Sequence, residues 1–116
     1  MALEYHEPRE LLPEDVIKQH RAISSLIEEL EAITWYNQRA AAEKEPALKK
    51  IVEHNRDEEI EHACMLFEWL RRNFPRFDEN MKTYLFSEGD ITELEDQQDS
   101  GSKKDNSLGI GKNKGI

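Results

Sequence analysis

Three prolines divide this chain into stretches whose length and periodicity leave few folds open. Pro13, followed by Glu14 and Asp15, reads as a helix start, since proline is pre-set for a first turn and the two acids face the positive end of the helix dipole. From there Val16, His20, Ile23, Leu26, Ile27, Leu30, Ile33 and Tyr36 recur at spacings of three and four, the pattern of one long amphipathic helix ending near Ala42. Glu45 and Pro46 open a second helix, whose stripe runs through Leu48, Ile51, Val52, Leu66, Trp69 and Leu70 until Pro75 stops it. The connection is short, so the two helices fold back antiparallel. Phe77, Met81, Tyr84 and Leu85 suit a short third helix broken by Gly89, and Asp90 with Glu93 resembles a capping pair before a last turn through Leu94. The expected fold is all-α: an antiparallel two-helix hairpin plus a short C-terminal helix.

With 116 residues the chain has room for one small domain, and a lone hairpin of that size is marginal. The expected layout is an N-terminal arm over residues 1–12, a helical domain over 13–95, a flexible linker over 96–106 and a short terminal peptide over 107–116. The linker follows from the run Gln97-Gln98-Asp99-Ser100-Gly101-Ser102, which has nothing to bury. Beyond it, Leu108-Gly109-Ile110-Gly111 places two apolar residues where a disordered end and a short docking peptide are both open readings.

The formal charge of −9 is unevenly placed: residues 99–116 carry +2, leaving −11 on the rest. Such a body attracts cations and repels nucleic acid. No apolar run approaches the ~20 residues that a bilayer requires. The acidic opening Met1-Ala2-Leu3-Glu4 has no apolar export signal, so a cytoplasmic protein is expected. Cys64, the single cysteine, excludes an internal disulfide and reads as a small buried apolar residue.

What interrupts the apolar stripes is more informative than the stripes. With ~100° of turn per residue, Ala22, Leu26, Ile33 and Tyr36 all lie within about 60° of Glu29, so Glu29 belongs to the buried face. On the second helix Val52, Asn55, Glu59, His62, Leu66 and Trp69 share a face by the same reasoning, which sets Glu59 and His62 side by side at i, i+3. An unpaired carboxylate there costs several kcal/mol. A cation shared by Glu29, Glu59 and His62 offsets that cost; the competing reading is a plain Glu59–His62 hydrogen bond at a wet edge. Carboxylate-bridged metal pairs in four-helix bundles take one Glu from each of two helices and one Glu-x-x-His from each of the other two. This chain supplies half of that set, and two copies about a two-fold axis supply all of it.

Oxygen-rich ligation with one nitrogen per metal suits iron or manganese. Two Fe(II) ions bridged by carboxylates can each give one electron to dioxygen, which favours iron. Tyr36, one turn beyond Ile33, either hydrogen-bonds the site or is a packed aromatic. Glu28 and Glu31 align with Trp35 on a second face of the first helix, as an entry site for cations or a solvated acidic face. His54, Glu58 and Glu61 form an outer line on the second helix and are the main competing metal site.

Taken together, Glu28-Glu29-Leu30-Glu31-Ala32, Trp35-Tyr36, the run from His54 to Ala63, Glu68-Trp69-Leu70-Arg71-Arg72 and Thr83-Tyr84-Leu85-Phe86 resemble the encapsulated ferritins, from about His20 to Ile91. Ser107 to Gly111 is similar to the peptide that directs cargo into encapsulin nanocompartments. The resemblance implies half of a ferritin-like four-helix bundle completed by dimerisation, with a ring-shaped decamer as the assembly. It implies that Glu29, Glu59 and His62 are ferroxidase ligands of a di-iron centre shared across a subunit interface, with Tyr36 beside it. It further implies Glu28, Glu31 and Trp35 as accessory metal-entry residues and His54, Glu58 and Glu61 as a weaker outer site. The encapsulin shell protein is the implied partner, through Leu108, Gly109, Ile110 and Gly111, and the inside of the shell the implied location.

The expected function is therefore a ferroxidase that oxidises Fe(II) with dioxygen and stores iron as encapsulin cargo. A non-catalytic metal-binding helical assembly or cargo adaptor is the alternative, and peroxide chemistry at an iron or manganese centre is a third reading that the ligand set allows. Six ionisable ligands facing one another unfilled oppose assembly, so the metal-free chain is expected to be monomeric or weakly dimeric.

Overall fold

The computed structural model describes residues 4–95. The linker and terminal peptide expected over 96–106 and 107–116, with Leu108, Gly109, Ile110 and Gly111, lie outside the described residues. The order is a single 3-10 turn (Arg9–Leu11), three α-helices and a second 3-10 turn (Ile91–Glu93), with no strand among the described residues. α1 spans Glu14–Ala42, α2 Pro46–Asn73 and α3 Pro75–Tyr84.

The local causes are those of the sequence with some corrections. Pro13 sits at the N-cap of α1 in extended conformation, one residue earlier than a first-turn proline, and Glu14 and Asp15 fill the first turn. Between α1 and α2 the chain reverses within three residues. The Glu45 carboxylate accepts the backbone N–H groups of Ala47 and Leu48 at 3.3 and 2.9 Å, capping α2 where Pro46 begins it. Pro75 both ends α2 and starts α3: Phe74 is the one extended residue between them, so α3 begins two residues before Phe77 and closes at Tyr84, with Leu85 as C-cap. Asp90 does cap the last turn: its carboxylate takes the N–H and hydroxyl of Thr92 at 2.9 and 2.7 Å, while Glu93 meets Asp90 through the backbone, its N–H donating to the Asp90 carbonyl at 3.1 Å.

The chain divides into two compact units at Leu70 and Arg71. In the first, α1 and α2 run antiparallel: Asn37 meets Arg56 and Glu29 meets His62, so the α2 partner moves back as α1 advances. The arm returns onto α1 through the ring of Tyr5, 4.6 Å from that of His20. The buried apolar residues of this unit are Ile17, Ala22, Leu26, Ala40, Ala63 and Leu70, half of them alanines. Two helices laid together cover only one strip of each, so much of the expected stripe stays in water. Leu30 is 44% exposed, Leu48 45% and Ile51 57%. Cys64 is exposed as well, which corrects its reading as a buried residue. It follows Ala63, which is buried, and the 100° step turns it off the contact strip.

In the second unit Asp78 on α3 accepts from Arg71 at 2.6 Å and from Lys82 at 3.0 Å, and the Phe74 and Phe77 rings meet edge to face with centroids 5.0 Å apart. Past α3 the backbone enters the left-handed region twice, at Phe86 and at Gly89.

Candidate metal centre

Glu29 lies midway along α1, and Glu59 and His62 lie one turn apart on α2. The antiparallel hairpin brings the three level. One ligand atom from each falls within 4.8 Å of the others, the single such group of three or more His, Cys, Asp or Glu side chains among the described residues. His62 Nδ1 is 3.3 Å from Oε1 of Glu59 and 3.6 Å from Oε1 of Glu29. All three are partly buried, with about a quarter of each carboxylate side chain exposed and 43% of the imidazole.

Glu29 Oε1 is shut off from solvent and has no hydrogen-bond partner among the described residues. A carboxylate oxygen in that state costs about 1–3 kcal/mol unless a proton or a cation reaches it. The acidities show the strain. Hydrogen bonding to Glu59 and burial raise the pKa of Glu29, helped by the Glu59 charge and opposed by His62. The bond with Glu29 lowers Glu59, against burial and with help from His62. The metal-free pair thus resists carrying two full charges, with the cost falling on Glu29. At His62 burial disfavours the charged ring, but the bond to Glu59 and the charges of both glutamates outweigh it and raise its pKa. Two carboxylates and one imidazole, converging with one oxygen orphaned, fit a divalent cation, with Nδ1 as the nitrogen facing the carboxylates.

Other sequence-predicted residues stand differently. Tyr36 is half-buried, and Arg39 places its guanidinium carbon 5.4 Å from the centre of the Tyr36 ring, a cation–π contact. Trp35 is 53% exposed and Glu28 is exposed, while Glu31 is half-buried. His54 Nε2 and Glu58 Oε2 come to 4.0 Å on the exposed side of α2, without converging with Glu61 into a three-ligand group. One pair went unseen in the sequence: Arg56 donates from Nη1 to Oδ1 of Asn37 at 3.0 Å, joining α2 to α1. Nothing in residue spacing announces it, since it depends on how the two helices are rotated against each other.

The EncFtn-like family model matches residues 4–88, most of the chain and all of the hairpin. The chain belongs to the EncFtn-like family. Among EncFtn-like relatives, the Encapsulated ferritin-like protein of Rhodospirillum rubrum is 48% identical over 122 aligned positions, covering 95% of this chain and 87% of the relative. That coverage runs past residue 95 into the tail. The Ferritin-like protein of Thermotoga maritima is 52% identical over 103 positions, covering 89% of this chain and 90% of the relative. The crystal structure of protein ne0167 from Nitrosomonas europaea superposes with a TM-score of 0.71 at 54% identity, covering 75% of this chain and 96% of that one. The all-helical fold is thus that of a solved relative, and the EncFtn-like assignment agrees with the encapsulated-ferritin resemblance of the sequence. No helix among the described residues is long and apolar enough to cross a membrane.

Proposed function

We propose that the protein is a ferroxidase whose di-iron centre is shared by two copies of the chain. The observation that carries this reading is the convergence of Glu29, Glu59 and His62 with a buried, unpartnered Glu29 oxygen. A single hairpin offers two carboxylates and one imidazole, half of the set that holds a metal pair in a four-helix bundle. A second copy about a two-fold axis brings the other half, and the apolar residues left in water along the hairpin then have a surface to meet.

Fe(II) is the substrate, and two ions held together there each give one electron to dioxygen. The residues do the rest. Glu29 and Glu59 both bind as anions, the cation relieving the repulsion that raises Glu29, and anionic oxygen ligands favour the Fe(III) product over Fe(II). His62 binds as the neutral imidazole and presents Nδ1. Tyr36, two turns along α1 from Glu29, serves as a hydrogen-bonding phenol for the centre. The exposed acids Glu28 and Glu58 add to a negative body that draws Fe(II) inward, Glu28 with Glu31 and Trp35 as an entry path and His54, Glu58 and Glu61 as an outer site. Relatives named encapsulated and ferritin-like support an encapsulin compartment as the place of work, with Leu108, Gly109, Ile110 and Gly111 as the docking peptide and the shell as the store for oxidised iron. The dimers in turn assemble into a ring of ten chains.

Anaerobic Fe(II) loading followed by air, read as the rise of Fe(III) absorbance, tests the activity. The parent oxidises iron well above the buffer rate, and Glu29→Ala, Glu59→Ala and His62→Ala each remove the excess. Four traces equal to the buffer trace reject the ferroxidase and leave a metal-binding assembly or cargo adaptor.

A further inference from the structure

Arg56 lies one turn before Glu59 on α2, and Asn37 two turns beyond Glu29 on α1. The guanidinium is planar, so a partner on one edge fixes where the other edge points. Asp57 Oδ1 takes the Nε–H at 3.0 Å, and Nη1 is thereby aimed at Asn37 Oδ1, also at 3.0 Å. The result is a tie between the two helices that carry the metal-centre residues.

The hairpin needs such a tie. Glu29 and Glu59 face each other across the same helix pair, and as anions they push the helices apart until a cation arrives. The apolar contact opposing that push is thin between the turn and the centre: among the described residues Ala40 is the one buried apolar residue of α1 beyond Glu29, and α2 has none before Ala63, which lies level with the centre. Alanine faces interdigitate little and resist sliding poorly, whereas a binding constellation tolerates only about 0.5 Å of misplacement.

We propose that Arg56, acting with Asn37, is a positioning residue for the metal centre, fixing the α1–α2 register that keeps Glu29 opposite Glu59 and His62. The inference rests on the metal-centre reading and adds to it a residue that touches no ligand. Charge alone makes the opposite demand. A guanidinium one turn from Glu59 repels an incoming dication, so its removal without any change of register tightens cation binding. The sign of the change separates the two roles.

Co(II) is the probe, added to the full-length chain and followed by its visible absorption, which reports both affinity and ligand geometry. Arg56→Ala weakens Co(II) binding about tenfold and alters the band shape, in the range seen when residues that orient ligands are removed. Asn37→Ala does the same from an exposed position on the other helix, and it carries the test should the arginine variant fold poorly. The double variant is no worse than either single one, as expected of two ends of one bond. Arg56→Lys recovers part of the loss, because an ammonium can still donate to Asn37. Helix content by circular dichroism stays at the parent level throughout. Binding by either alanine variant that equals or exceeds that of the parent overturns the inference alone, as do single losses that add in the double variant. A parent that binds no Co(II) overturns the metal-centre reading and this inference with it.

Discussion

Glu29 and Glu59 shift each other's acidity in opposite directions, Glu29 upward and Glu59 downward, across the gap between two antiparallel helices. Such a pair favours keeping a proton when metal-free, and it binds metal as two anions. His62 adds a second proton held above its ordinary affinity. Metal entry is therefore coupled to proton release. Calorimetric titration of Mn(II), a redox-quiet stand-in, at pH 6.5 in buffers of differing ionisation enthalpy is expected to show protons released on binding. The release shrinks as pH rises through the raised His62 and Glu29 values, and it shrinks also in Glu29→Gln. Release independent of both would show that the ligands are already deprotonated.

The same arrangement sets function against stability. Glu29→Gln replaces a carboxylate with an amide that can donate to Glu59, removing the orphaned oxygen. Metal-free unfolding in urea is expected to shift by about 1 kcal/mol toward greater stability, the low end of the cost of an unsatisfied buried group. The variant is expected to lose the rise in thermal midpoint that Mn(II) gives the parent. A destabilised metal-free variant would mean that the carboxylate is better accommodated than its geometry suggests.

Asp78 gives a pH dependence of the other sign. Lys82 and Arg71 hold its carboxyl below the usual aspartate value of 3.8. A lowered folded value means that its contribution is complete above the unfolded value and fades as pH falls through the folded one. The parent is expected to lose an increment of stability below about pH 4 that Asp78→Asn lacks already at neutral pH, so the two unfolding curves converge toward pH 2. Curves that stay parallel over that range would remove Asp78 from the account of acid stability.

Phe86 combines a backbone φ of +61° with a fully exposed ring, at 103%. A bulky residue in the left-handed region costs about 1 kcal/mol or more, and no packing among the described residues offsets it. Phe86→Gly is expected to stabilise the metal-free chain by roughly 0.5 kcal/mol in urea unfolding, part of the relief being lost to the greater freedom of glycine when unfolded. A net loss of stability would show the ring buried in an assembly of chains.

Much of this architecture is legible in the residues because its causes are local. Proline at the helix starts, the Glu45 carboxylate at the head of α2 and the three-four spacing of apolar positions each act within a turn or two, and they place α1 and α2 nearly to the residue. The Glu29, Glu59 and His62 cluster is legible for a related reason. Polar residues on an apolar stripe must be compensated, and an antiparallel hairpin with a short turn sets which levels face each other. What was not legible depends on rotation and on single residues. The Arg56–Asn37 tie requires the azimuth of both helices, the left-handed φ of Phe86 has no signature without a glycine, and the exposure of Cys64 reflects how narrow a strip two helices share. Pro75 reads equally well as a stop or a start, and with Phe74 extended before it the chain uses it as both.

The claim that one chain holds half a centre is tested most directly by native mass spectrometry during anaerobic Fe(II) titration. Tightly bound iron is expected only on species with an even number of chains, at one ion per chain before any weaker uptake at the outer residues, with single chains free of tightly bound iron at the same free Fe(II). Single chains that retain iron as tightly as the pairs would contradict the shared centre, because they would show that Glu29, Glu59 and His62 of one copy suffice.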